Sequence, residues 1–176
     1  MGNHVYIATS LDGYIADSNG GLDWLYSVPN PQNSDLGFVE FIDGIDAIVM
    51  GRVTFETVCG FGGDWPYPKP TFVLTSTLDT VPTNLDENVE LISGSPLEVT
   101  DKLNKRGFKD LYIDGGKTIQ SFLQAGLVDD LIISTLPVLL GGGATLFGKL
   151  SNKLQLSHIH TDVLLGEIVQ SRYRFV

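Results

Sequence analysis

Short apolar runs rich in β-branched and aromatic residues recur along the chain, and several are followed by segments whose apolar residues return every three or four positions. Residues 4–9, 47–50, 71–75, 89–92, 111–113 and 131–138 read as strands on this pattern. Helical patterns fall at 35–43, 53–59, 95–107 and 117–124. The third carries its own punctuation: Ser95 as N-cap, Pro96 at the first helical position, Glu98 completing a capping box and Gly107 as the stop. The fourth places Ile119, Phe122, Leu123 and Leu127 on one face. Two more strands, near 154–161 and 167–175, close the chain. Strands alternating with helices predict an α/β fold with a mainly parallel sheet, and the terminal pair is expected to be antiparallel. The almost unbroken apolar run 131–138 fits a strand covered on both sides. With no repeat, linker or low-complexity stretch, a single domain over 1–176 is expected.

In a parallel α/β sheet, ligands sit beyond the carboxyl ends of the strands, where helix N-termini leave backbone N–H groups unpaired. Three places in this chain have that character. After the strand at 47–50, Gly51-Arg52 opens a helix, and a guanidinium there adds its charge to the helix dipole and the free amides of Val53 and Thr54. The alternative is a surface ion pair. After the strand at 111–113 come Gly115, Gly116, Lys117 and Thr118, a turn that lets a phosphate approach the backbone, or simply a tight strand-to-helix connection. Thr75 and Ser76, at a third strand end, offer hydroxyls to a phosphate or cap a turn.

Composition narrows the partners. Eleven Lys and Arg against 21 Asp and Glu leave a formal charge of −10, scattered along the chain, which opposes binding to nucleic acid. A local donor cluster can still hold a small anion. One cysteine, Cys59, excludes an internal disulfide, and no segment approaches the roughly 20 apolar residues of a membrane span. A soluble, cytoplasmic protein is expected. Residues 143–149 match the Gly-four-Gly-Lys portion of a P-loop, but Leu150 stands where Ser or Thr is required, so a turn is expected. His158 and His160 alternate on one strand without a third ligand, and no metal site is expected.

Taken in order, IATSLDGYIADSNGGLDW, IVMGRVTFETV, VLTST and IDGGKTIQSFL resemble the dihydrofolate reductase-like superfamily. GLVDDLIISTLPVLLGGGATLF is similar to its branch represented by the reductase domain of the riboflavin-biosynthesis deaminase/reductase. The resemblance implies a three-layer α/β fold and NADPH as cofactor. Gly51, Arg52 and Thr54 would hold phosphates, Thr75 and Ser76 the adenosine 2′-phosphate side, and Gly115, Gly116, Lys117 and Thr118 the pyrophosphate. Ala8 and Ile15 match the nicotinamide pocket, and residues 10–24 a mobile active-site loop. Asp35 matches the acid that grips an aminopyrimidine edge and helps protonate the reduced bond. Among Trp24, Leu36 and Phe38 its pKa would be raised by desolvation; a plain helix N-cap is the other reading. Trp24, Phe38 and Asp12 complete the implied substrate site, with Asp12 and Glu40 as fallback acids.

The chain departs from the folate enzymes at Ile119, at Asp114 before the glycine pair and at Leu22-Asp23 before the tryptophan, and it has no evident partner for a folate tail. The expected function is therefore an NADPH-dependent reductase of a small heteroaromatic or C=N/C=O compound, such as a pterin, folate or aminopyrimidine. A non-catalytic NADP-binding or self-associating protein is the alternative. The resemblance, and the apolar run 132–140, also imply a homodimer.

Overall fold

A strand covered on both faces has no polar side to show, and this is why the continuous apolar runs end up in the middle of the sheet. A computed structural model describes residues 2–82, 84–85 and 87–176. The strands are β1 (Gly2–Ser10), β2 (Tyr14–Ala16), β3 (Ala47–Gly51), β4 (Thr71–Leu74), β5 (Val89–Ile92), β6 (Asp110–Asp114), β7 (Asp130–Leu136), β8 (Ala144–Thr145), β9 (Leu156–Leu164) and β10 (Ile168–Phe175). Eight of them form one sheet in the order β5-β4-β3-β6-β1-β7-β10-β9, while β2 and β8 make a separate two-stranded ribbon. The pairings from β5 through to β7 are parallel, and β10 joins β7 and β9 antiparallel.

Helices α1 (Phe38–Asp43), α2 (Arg52–Gly60), α3 (Pro96–Lys105) and α4 (Gly116–Gln124) cover the two faces. Side-chain alternation sorts β3 between them: Ala47 and Val49 pack with Val99, Leu103, Ile119 and Phe122, whereas Ile48 and Met50 pack with Ile42 and Phe55. Thus α3 and α4 lie on one side and α1 and α2 on the other, giving the expected three layers. The capping box forms as read: Glu98 N–H donates to Ser95 Oγ, and Ser95 N–H to Glu98 Oε2.

Three local readings change. The first helix begins at Phe38 instead of 35, because Leu36 and Gly37 take left-handed φ values of 58° and 91°. The Leu36 carbonyl accepts from the Tyr6 hydroxyl at 2.7 Å and from the Gln170 amide at 3.1 Å, which fixes that turn. Residues 144–145, read as part of a turn, form β8 against β2. Finally, a bulge pairs His160 with Arg172 but His158 with Tyr173, so the two histidines face opposite sides of the sheet. The apolar run after residue 131 is largely β7, a strand enclosed between β1 and β10.

Candidate active site

β3 and β6 are neighbours, so the turns that follow them emerge side by side at the carboxyl edge of the sheet. Gly51 precedes α2 and Gly115 precedes α4. A Cβ placed on Gly51 would lie 2.7 Å from Thr118 Oγ1, and one on Gly115 would collide with Thr54 Oγ1 and come within 3.8 Å of the Gly51 nitrogen. Gly115 is also held at φ 88°, a conformation that favours glycine. Residues 51–54 and 115–118, separate in sequence, therefore interlock in space. Two helix N-termini point their unpaired N–H groups and positive dipole ends into one region. Ile15 closes it from the side, its Cδ1 2.6 Å from where a Gly116 Cβ would be.

Beside this cradle lies a cavity of about 330 Å³ lined by Arg52, Leu74, Thr75, Ser76, Thr77, Ser93 and Gly94. The ion-pair reading of Arg52 is seen directly. Its guanidinium lines the cavity and is also forked onto Glu56, with Nη1 at 2.8 and 2.9 Å from the two carboxylate oxygens. Thr75 Oγ1 accepts from the Thr77 and Leu78 N–H groups at 3.1 Å, so it caps its turn and has only its own proton to offer a ligand. Lys117 is exposed at the start of α4. Closely packed glycines, helix N-termini, an arginine and hydroxyls form a donor set that fits a dinucleotide bearing an extra phosphate.

The loop from residue 10 to 24 is clasped to the stretch after β7. Asp12 accepts from Ser10 Oγ at 2.6 Å and from the N–H groups of Leu140 and Gly141 at 3.1 and 2.8 Å. Those bonds, the Ser10 hydroxyl foremost, hold its carboxyl below the usual aspartate range, and they make Asp12 the latch of the loop. Trp24 sits in a 3-10 turn, buried with Val28, Leu136 and Ile168 and packed against Ala8 and Leu36, and its Nε1 has no hydrogen-bond partner among the described residues.

The expectation of a desolvated Asp35 fails. Leu36 turns its side chain into the Trp24 cluster, which leaves the adjacent Asp35 on the exposed side of the turn. There Asp35 Oδ2 accepts from Val39 N–H at 2.7 Å and Oδ1 from Gly37 N–H at 3.4 Å, and these bonds, Val39 first, lower its pKa. It caps α1. Glu40 is likewise exposed. Phe38 joins an aromatic group with Tyr6, Phe41 and Tyr112.

The desolvated acid of this region is Asp114, the last residue of β6, which the sequence reading passed over. It is 9% exposed, and burial raises its pKa against the opposing Gly115 N–H and Tyr67 hydroxyl bonds. Gly115 N–H donates to Oδ1 at 2.7 Å and the Tyr67 hydroxyl to Oδ2 at 3.2 Å. The signal was available: alternation puts Asp114 on the Tyr112 face of β6, opposite the face carrying Leu111 and Ile113.

A larger hollow of about 480 Å³ opens at the other end of the sheet, near the amino ends of β1, β6 and β7. There His4 bridges Asp110 and Asp130 at 3.1 and 3.2 Å, and Arg172 holds Asp130. Among the described residues no group of three or more His, Cys, Asp or Glu is arranged to hold a metal ion, and no helix is long and apolar enough to cross a membrane.

Comparison with known proteins places this geometry in a family. The Bacillus subtilis (strain 168) proteins YwjB and YyaP, both uncharacterized, are 32% and 30% identical, covering 96% of this chain and 95% and 92% of their own lengths. A Shewanella sp. PV-4 protein provisionally ascribed to riboflavin biosynthesis superposes with a TM-score of 0.98 at 49% identity, over 100% of this chain and 99% of that one. The Enterococcus faecalis dihydrofolate reductase solved with NADP(H) shares the fold, with a TM-score of 0.65 at 20% identity over 99% and 96% of the two chains. The RibD C-terminal domain model matches residues 4–169, and the chain belongs to that family.

Proposed function

We propose that this protein is a reductase that uses NADPH to reduce a small heteroaromatic or related C=N or C=O compound. The observation that carries this reading is the interlocking of residues 51–54 with 115–118 into one anion cradle beside the Arg52 cavity. Arg52 and Ser76 would read the 2′-phosphate, and the helix starts at Gly51 and Gly115 the pyrophosphate, with Thr54, Lys117 and Thr118 beside them. When bound, the cofactor supplies a hydride. The names borne by relatives of the same fold, among them a pyrimidine reductase-like protein of Corynebacterium diphtheriae, agree with that chemistry.

The chain's own residues supply the rest. The latched 10–24 loop, with Ile15 and the Trp24 cluster, excludes water from the region where Ala8 lies. Asp114 is the group placed to supply the proton, because burial raises its pKa. Oδ1 is engaged by the Gly115 N–H and Oδ2 by the Tyr67 hydroxyl, and the proton the carboxyl gives passes to the substrate atom made basic by reduction. Asp114 thus takes the role that resemblance gave to Asp35.

NADPH and NADH titrations followed by fluorescence test this reading, together with an NADPH-oxidation screen using dihydrofolate and aminopyrimidines. Arg52→Ala should weaken NADPH more than NADH; equal losses would remove Arg52 from 2′-phosphate recognition, and no binding of either would end the proposal. The exposed position of Asp35 favours one other reading, a nucleotide binder without turnover, which predicts binding with no oxidation in any screen. The proposed homodimer would cover β9, where Ile159 and Val163 are 47% and 62% exposed, and light scattering decides it.

A further inference from the structure

The ribbon of β2 and β8 lies against the start of α4. Tyr14 pairs with Thr145 and Ala16 with Ala144, so the backbone of Ile15 is held between two points on β8. The Ile15 side chain and the Thr145 carbonyl both stand over Gly116: a Cβ there would lie 2.6 Å from Ile15 Cδ1 and 3.7 Å from the Thr145 oxygen. Gln120, four residues further and on the same face of α4, reaches back to the ribbon. Its Nε2 donates to the Thr145 carbonyl at 2.9 Å and to the Leu146 carbonyl at 3.2 Å, one N–H for each. The contacts close a ring from Gly116 through Gln120, Thr145 and Ile15 back to Gly116.

Little else fixes the height of β8 above the helix. The strand is two residues long, exposed on both, and pairs only with β2. Leu146 anchors its end in the core beside Ile119 and Phe122. The amide of Gln120 is itself confined by Gly148, where a Cβ would come within 2.9 Å of Oε1 and 3.0 Å of Cδ. One turn further along α4, away from the cradle, Gln124 makes a similar bond to the Lys149 carbonyl at 2.9 Å. We propose that Gln120 is a positioning residue for the anion cradle: through β8 it sets how closely Ile15 covers Gly116, and so how well water is kept from the N–H groups that would meet the pyrophosphate. The role rests on the reductase reading and adds to it a residue outside the cradle that controls its strength. Hydrogen bonds to an anion strengthen as water is excluded, and a ribbon released from Gln120 admits water.

Calorimetric titrations with NADPH, and with adenosine 2′-phosphate, which lacks the pyrophosphate, separate this role from a merely structural one. Gln120→Met keeps the length of the side chain but has no N–H to give. NADPH should then bind about three- to tenfold more weakly, the scale of one net hydrogen bond, while adenosine 2′-phosphate binds as before. Gly148→Ala leaves Gln120 chemically intact but places a methyl against its amide, and should reproduce that loss. Gln124→Met should lower the Tm of the unliganded protein about as much as Gln120→Met and leave both affinities unchanged. Unchanged NADPH affinity in Gln120→Met or Gly148→Ala, equal losses for the two ligands, or the same loss in Gln124→Met overturns the positioning role and leaves the cofactor reading intact. Failure of the unsubstituted protein to bind NADPH would instead remove the reading beneath it.

Discussion

Replacing Gly51 with alanine tests whether the two turns are in contact. The backbone there is extended, at φ −78° and ψ 161°, so alanine is tolerated conformationally and by itself would stabilise by about 0.4–1 kcal/mol through the unfolded chain. The obstacle is one atom. The new Cβ would sit 2.7 Å from Thr118 Oγ1, and among the described residues no other atom outside its chain neighbours lies within 4 Å. Relieving that overlap means moving the starts of α2 and α4 apart, an overpacking cost of about 1–3 kcal/mol. The net loss is about 1 kcal/mol, a fall in Tm of about 2–4 °C. In a Thr118→Ala background the obstructing oxygen is gone, so the same substitution should become neutral or stabilising. Thermal unfolding of the four proteins in this cycle, with NADPH titrations alongside, gives the answer. Gly51→Ala should lower NADPH affinity by about tenfold alone and cause no further loss beside Thr118→Ala. If Gly51→Ala costs the same in both backgrounds, or nothing in the first, the turns do not touch and the cradle is disproved.

Glu56→Gln releases Arg52 from a half-exposed i, i+4 pair worth about 0.3–0.5 kcal/mol, and NADPH affinity should rise about twofold in a fluorescence titration. Asp114→Asn should raise Tm at neutral pH. Because the folded carboxyl has a raised pKa, stability is lost as pH rises above the ordinary aspartate range, so the variant's advantage should vanish as pH falls back into that range; a constant advantage across pH would mean the carboxyl is not desolvated. Asp35→Ala should lower Tm near neutrality and leave NADPH binding unchanged. Its folded pKa is depressed, so its contribution is present above the ordinary carboxyl pKa and lost as pH falls through the lowered value; turnover lost without a Tm deficit would return Asp35 to the chemistry.

The strands at 47–50 and 71–75 could be read to within a residue because each is a largely buried apolar run bounded by Gly, Pro or polar residues, and 89–92 was read equally well although it is an edge strand with Glu90 exposed. The helix starting at Pro96 was legible from its caps. The cradle was legible as two separate turns, and only the adjacency of β3 and β6 joins them. What escaped was set by single residues responding to distant ones. Leu36 goes left-handed because Tyr6 and Gln170 hold its carbonyl, and no local pattern announces φ 58° at a leucine. β2 and β8 are three and two residues long, too short to show a period of two.

The exchange of Asp35 for Asp114 has a physical logic. A carboxylate at the start of a helix finds free N–H groups, and those donors pull its pKa down, so the residue best placed to cap is poorly placed to hold a proton. A carboxyl at the end of a central strand has the opposite fate. Its neighbours' backbones are already paired in the sheet, leaving Asp114 the Gly115 N–H and tyrosine hydroxyls. Those donors do not offset the loss of water, and its pKa is raised. A site that needs a reservoir for one proton beside an anion cradle is therefore better served by the strand end than by the helix start. The cost is a destabilised fold, which is the quantity the Asp114→Asn titration measures.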